Sequence, residues 1–182
     1  MIEIEKIALL SDNEYANIGT KITSNNGTDL GENNTESVFF LSPDARIKVQ
    51  RNSSKGTAKI AWKSGAAADG ITGRREIELS FLPDDMEDAL DLIKALVPGV
   101  EIFETKQLRH DYEMTNGTKI AVKHSDDYGF HAEFEQLIAD DSGRDEALSK
   151  LDQAAQLLSV KLLSEDEESA FIKQALERRK SA

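Results

Sequence analysis

Charged residues alternate with bulky apolar ones at a spacing of two through much of the chain, and no other feature limits the fold as tightly. Side chains at i and i+2 on a strand point to the same face. Three acidic pairs have that spacing, Glu3/Glu5, Glu76/Glu78 and Glu133/Glu135. Basic pairs have it or its multiple: Arg46/Lys48, Lys59/Lys63 and Lys119/Lys123. The residues between are mostly apolar, among them Ile4, Ile47, Ile60, Trp62, Ile77, Ile120, Val122 and Phe134. Any one pair alone reads most simply as the wet exterior of an ordinary sheet. The repetition over many strands reads differently, because amphipathic helices accompany them and need apolar surface to cover. If the helices cover the apolar faces, the charged faces turn towards each other or towards solvent. In the first case the chain is an α+β protein: a closed or nearly closed antiparallel β-barrel of about eight strands, with a polar lumen and helices packed outside.

The elements follow from local signals. Ile2-Glu3-Ile4-Glu5 starts a strand, and Ser11 with Glu14 is a capping box opening a helix through Tyr15, Ile18 and Ile22. Residues 23–36, rich in Asn, Gly, Thr and acid, read as a solvated loop. Strands are expected near 37–41, 44–51, 57–64 and 72–82, then a helix near 84–97 capped by Asp84 and Glu87. Further strands are expected near 100–106, 109–114, 117–124 and 129–138, with Asn116-Gly117 as a hairpin turn. Two helices close the chain, one lined by Ala147, Leu151, Ala154 and Leu158, the other capped by Ser164 and Glu167. Lys59-Ile60-Ala61-Trp62-Lys63 is echoed by Lys119-Ile120-Ala121-Val122-Lys123. The organisation expected is one domain over 1–182, with two similar halves at about 1–97 and 98–182.

Composition narrows the function. The 182 residues carry 34 Asp and Glu against 22 Lys and Arg, a net charge of −12, which repels a nucleic-acid backbone at long range. With no cysteine there is no disulfide, thiol catalysis or cysteine-bound zinc. No signal peptide or membrane span is visible, so a cytoplasmic protein without membrane partners is expected. The exposed helices could support a homodimer. A lumen mixing Lys and Arg with Glu suits a polyphosphate, whose oxygens take charge-assisted hydrogen bonds, together with Mg²⁺ or Mn²⁺ on the carboxylates.

The order Glu3-Ile4-Glu5, Ala45-Arg46-Ile47-Lys48, Lys59…Lys63, Arg74-Arg75-Glu76-Ile77-Glu78, Lys106…Arg109 and Gly129-Phe130…Glu133-Phe134-Glu135 resembles the CYTH superfamily, the triphosphate tunnel metalloenzymes. That group includes class IV adenylate cyclases, thiamine triphosphatases and inorganic triphosphatases. The resemblance implies that Glu3, Glu5, Glu133 and Glu135 face metal, with Glu5 and Glu135 catalytic. It also implies that Arg46, Lys48, Lys59, Lys63, Arg74 (or Arg75), Lys106 and Arg109 hold the triphosphate. Glu76 and Glu78 would line the tunnel and orient the basic groups.

Two positions depart from the family pattern. The first strand usually reads Glu-x-Glu-x-Lys, and here the third position is Ile7, which cannot donate to phosphate. The family also has an aspartate on the strand before the last Glu-x-Glu, where this chain has Lys119, Ala121 and Lys123; Asp126 and Asp127 lie in a turn-like segment. The expected activity is metal-dependent hydrolysis of a small triphosphate compound. A class IV-type adenylate cyclase, or a non-catalytic polyphosphate- or nucleotide-binding module, are the alternatives. His110, His124 and His131 lack ligand spacing, and Trp62 has the parity of the core.

Overall fold

The computed structural model describes residues 2–42, 45–64 and 74–180, and of the side chains at 74, 75, 176 and 178–180 nothing is described. Nine strands and four α-helices occur among the described residues: β1 (Ile2–Leu9), α1 (Asp12–Ser24), β2 (Thr28–Glu32), β3 (Thr35–Leu41), β4 (Ala45–Asn52), β5 (Thr57–Ser64), β6 (Arg74–Phe81), α2 (Met86–Leu96), β7 (Glu101–Glu113), β8 (Lys119–Ser125), β9 (Gly129–Ile138), α3 (Arg144–Leu158) and α4 (Glu165–Lys180). Every strand pairing is antiparallel.

The sheet curls until its ends meet. Its order is β7-β3-β4-β5-β6-β1-β9-β8, and β7 pairs with β3 on one side and β8 on the other. Residues 101–107 of β7 face β3, and residues 108–113 face β8. The two strands expected near 100–106 and 109–114 are therefore one long strand that changes partner near Gln107. The segment 23–36 is also not all loop. Residues 28–32 form β2, an added strand on β7 with a register shift between Asp29 and Gly31. Both its faces are wet, so its composition carries no apolar alternation.

Period-two alternation sorts the side chains as the sequence implies. Ile4, Ile120, Val122 and Phe134 point outwards into a core with Ile18 and Ile22 of α1 and Leu151, Ala154 and Leu158 of α3. Val38, Phe40 and Val49 meet Ile93 of α2 in a second, smaller core. The capping box is present at α1, where Ser11 and Glu14 bond each other's backbone N–H. At α2 the cap differs: a 3-10 turn over Pro83–Asp85 precedes the helix, and the N-cap is Asp85 without a side-chain bond.

Among the described residues β1 pairs with β6 at Ile2↔Arg75 and Glu3↔Arg74, and with β9 along its whole length. At Ile7 and Ala8 the C-terminal segment meets β1. Leu163 donates its N–H to the Ile7 carbonyl at 2.7 Å, Ala8 bridges to Leu162, and the Ile7 N–H donates to Glu168 Oε1 on α4 at 3.1 Å. No helix among the described residues is long and apolar enough to cross a membrane.

Candidate functional site

The lumen holds a cavity of about 430 Å³. β1 contributes Glu3 and Glu5 to its wall, β4 Arg46 and Lys48, and β5 Lys59 and Lys63. Glu76 and Glu78 enter from β6, Arg109 from β7, and Glu133 and Glu135 from β9. These side chains come from strands separated by up to about a hundred and thirty positions, and meet because each occupies the inward parity of its strand.

Two expected residues are not among them. Lys106 has the opposite parity to Gln107 and Arg109 and points outwards. Its side chain is 83% exposed and pairs with Glu36 at 2.9 Å. The Arg74 side chain lies outside the described residues, although its backbone pairs with Glu3.

The acidic side of the lumen is built around Lys63. Its ammonium lies 2.8 Å from Glu3, 3.2 Å from Glu76 and 4.0 Å from Glu5. Burial alone would lower the Lys63 pKa, but the charges of Glu5, Glu3 and Glu76 outweigh it and hold the ammonium protonated. Glu3 and Glu76 are hydrogen-bonded to each other. Burial raises both carboxyls, yet Lys63 and a bond from Glu76 bring Glu3 down to about 2, while burial and that same bond hold Glu76 up at about 7.

Glu3, Glu5 and Glu135 each offer an oxygen, and the three oxygens lie within 4.8 Å of one another. Burial first, and then the charge of Glu133, raise both Glu5 and Glu135. Carboxylates so crowded and desolvated are destabilised as anions until a cation joins them. Three hard oxygen donors fit Mg²⁺ or Mn²⁺. Glu133 is not part of this trio. It accepts from Lys123, and although burial opposes ionisation, the Lys123 charge keeps it well below the ordinary carboxylate range.

The basic side is crowded in turn. Lys48 is pushed down to about 7, by burial first and then by Lys59, Lys63, Lys123 and Arg46. Lys59 bonds Glu78, and Arg46 lies over the Phe39 ring at 5.5 Å. Arg109 is fixed by Asp111, two residues along the same face, at 2.6 Å from Nε to Oδ1. Burial opposes the Arg109 charge, but Asp111, Glu133 and Glu135 together keep it on. Asp111 also accepts from Asn33 and lies 3.8 Å from Lys55, so it ties the lumen to the β4–β5 hairpin.

Sequence reasoning passed over several members of this wall. Lys119 and Lys123 have the inward parity but stand where a carboxylate was sought. His131 lines the cavity, 2% exposed, and burial takes its ring down to about 4, leaving it neutral. Ile7 occupies the inward position expected of a lysine. Tyr128 arrives from the β8–β9 turn, and Phe171 and Ile172 from α4; nothing in the local pattern connects them to the lumen. Ala121 stands between Asp111 and Glu133 across the sheet, so β8 supplies no carboxylate there, and Asp127 accepts instead from Thr105 at 3.2 Å. Trp62 pairs with Ile47 and Ile77 in outward register, as its parity implies.

No protein-family model and no curated protein matches the chain. Solved structures do. The PH1012 protein from Pyrococcus horikoshii OT3 superposes with a TM-score of 0.72 at 21% identity, covering 91% of this chain and 93% of its own. A Vibrio parahaemolyticus protein named provisionally as an adenylate cyclase gives 0.68 at 17% identity, covering 88% and 90%. HpAC1 from Hippeastrum, described as having a dominant triphosphatase activity, gives 0.64 at 12% identity, covering 88% and 89%. At these identities the likeness is one of architecture, and the chain has the curled antiparallel barrel with outer helices that such cyclase- and triphosphatase-named structures share.

Proposed function

We propose that this protein binds the phosphate chain of a small triphosphate compound inside the barrel and hydrolyses it with the help of Mg²⁺ or Mn²⁺. The observation that carries this reading is the facing of two sets in one cavity: the oxygens of Glu3, Glu5 and Glu135 within 4.8 Å of each other, and the cationic groups of Arg46, Lys48, Lys123 and Arg109.

In this reading Arg46, Lys48, Lys59, Lys123 and Arg109 hold phosphate oxygens by charge-assisted hydrogen bonds, each worth roughly 1.5–3 kcal/mol. Their preorganisation stabilises the charge that builds on the departing phosphate. Glu3, Glu5 and Glu135 would hold the cation, which supplies neutralisation of negative charge on the phosphate oxygens. Lys63 keeps Glu3 ionised for that task and Glu76 in register. Glu135, one of those three carboxylates, would also take the proton of the attacking water.

Phosphate release from tripolyphosphate, ATP and thiamine triphosphate with Mg²⁺ or Mn²⁺ tests the proposal. Turnover is expected, and Glu135→Gln should lower kcat by roughly a hundredfold or more. A second reading, a binder without turnover, is favoured by Ile7 and Ala121, which remove two polar groups from the inward face. It predicts no phosphate release, but a higher Tm with tripolyphosphate that Arg46→Ala abolishes. If tripolyphosphate neither turns over nor raises Tm, both readings fail.

A further inference from the structure

The carboxylates that β1 and β9 send into the lumen do not stand alike. Glu3, Glu5 and Glu135 form the oxygen cluster, whereas Glu133, two residues before Glu135 on the same face of β9, accepts from the Lys123 ammonium. Lys123 stands opposite His131 across the β8–β9 ladder, so it reaches Glu133 on the diagonal, a span that long side chains cover. Ala121, directly opposite Glu133, offers no polar group. Of the other basic groups nearby, Arg109 is held by Asp111, and His131 keeps its Nε2 4.0 Å from Glu133 Oε1, beyond hydrogen-bond reach.

The balance of charge separates the two sets. Glu3, Glu5, Glu76 and Glu135 gather about Lys63, with Lys119 opposite Glu135, so carboxylates outnumber ammonium groups and a divalent ion is accommodated. Glu133 and Lys123 match one to one. The Lys123 side chain is 7% exposed, so water screens it little, and a divalent ion brought to Glu133 would meet an ammonium of like sign at close range. The ordinary explanation is a buried ion pair that only satisfies Glu133. On that account removing the lysine costs stability and changes nothing else.

We propose that the Lys123 ammonium is a built-in cation that holds the place of a second metal ion at Glu133, so that the lumen takes one divalent ion, at Glu3, Glu5 and Glu135, and not two. The inference rests on the reading that those three carboxylates bind a divalent cation, and it departs from the family resemblance, which has Glu133 facing metal. An ammonium has three donors, so one bond to Glu133 leaves two for phosphate oxygens. Glu133 is thereby a positioning residue for Lys123. Unlike an exchangeable ion, this charge stays in the wall at any metal concentration, and the number of ions taken up is set by the trio alone.

Titration of the intact protein with Mn²⁺ alone, followed by loss of the free-ion electron paramagnetic resonance signal, counts the ions. The parent protein is expected to take up one ion per chain. Lys123→Met should take up two, because Glu133 then lacks its cation, and Mn²⁺ should raise the Tm of this variant more than that of the parent. The double variant Lys123→Met/Glu133→Gln should return to one ion, with the Kd of the parent. Two ions on the parent overturn the inference. So does a Lys123→Met protein that still takes up one, which would mark the pair as a structural ion pair only. A Kd at least about tenfold weaker in the double variant overturns it too, since Glu133 would then be a ligand of the first ion. Should Lys123→Met not fold, the parent count and the double-variant Kd decide alone. A parent that takes up no Mn²⁺ fails earlier, at the trio, and removes the metal reading itself.

Discussion

Asp111 was invisible as a site residue because its part is played through Arg109, two residues before it on the same strand face. Its carboxylate accepts from Arg109 and from Asn33 while lying near Lys55. Asp111→Ala leaves the partly buried guanidinium short of a partner and is expected to cost roughly 1.5–3 kcal/mol in chemical denaturation. Tripolyphosphate should restore part of that loss by taking over Arg109, so its stabilising effect on the variant should exceed its effect on the parent protein. Ile7 is the complementary case, a place where the lumen lacks a cation. Ile7→Lys should tighten tripolyphosphate binding, measured as a lower Kd; an unchanged Kd would mean that position 7 is too far from the bound phosphates to matter.

At the level of elements, α4 is anchored by a buried polar contact beside its buried Ile172 and Ala175. Glu168 is fully buried and accepts the Ile7 N–H, a bond that joins residues 161 positions apart. Glu168→Ala should lower stability by about 2 kcal/mol and speed hydrogen exchange at the Ile7 amide, with α1 and α3 protected as before. The strands with regular alternation, β1, β4, β5, β8 and β9, were legible because lumen and core demand opposite chemistry of neighbouring residues. What was missed has specific causes. β7 reads as two strands because it changes partner near Gln107, and β2 reads as loop because neither face is buried. Lys106 is expected in the lumen on the family resemblance alone, and its parity, opposite to that of Arg109, turns it outwards to Glu36. Phe171 reaches the cavity from a helix far away in sequence, and no local period encodes that meeting.

For the molecule as a whole, charge is segregated. The chain is strongly acidic, yet burial in the lumen, together with the cations gathered there, brings Lys48 down to about 7. The unfolded chain keeps this lysine protonated up to about 10.4. Between those values the unfolded state binds more protons than the native state, so stability rises with pH across that window; below about 7 the full penalty of a charged, buried ammonium is present. Lys48 therefore contributes a rise in the denaturation midpoint of the ligand-free protein from pH 7 to 9, read as the difference between the parent protein and Lys48→Met across that range. Saturating tripolyphosphate should flatten that rise, because a bound anion returns Lys48 towards its ordinary value. The β1–β9 ladder has a temporal consequence. β1 opens at Ile2, whereas β9 begins at Gly129. A nascent chain emerging from the ribosome consequently cannot form this ladder until more than two thirds of the polypeptide has been made. Closure then has to bridge nearly the entire length of the chain, the kind of distant pairing that makes folding slow.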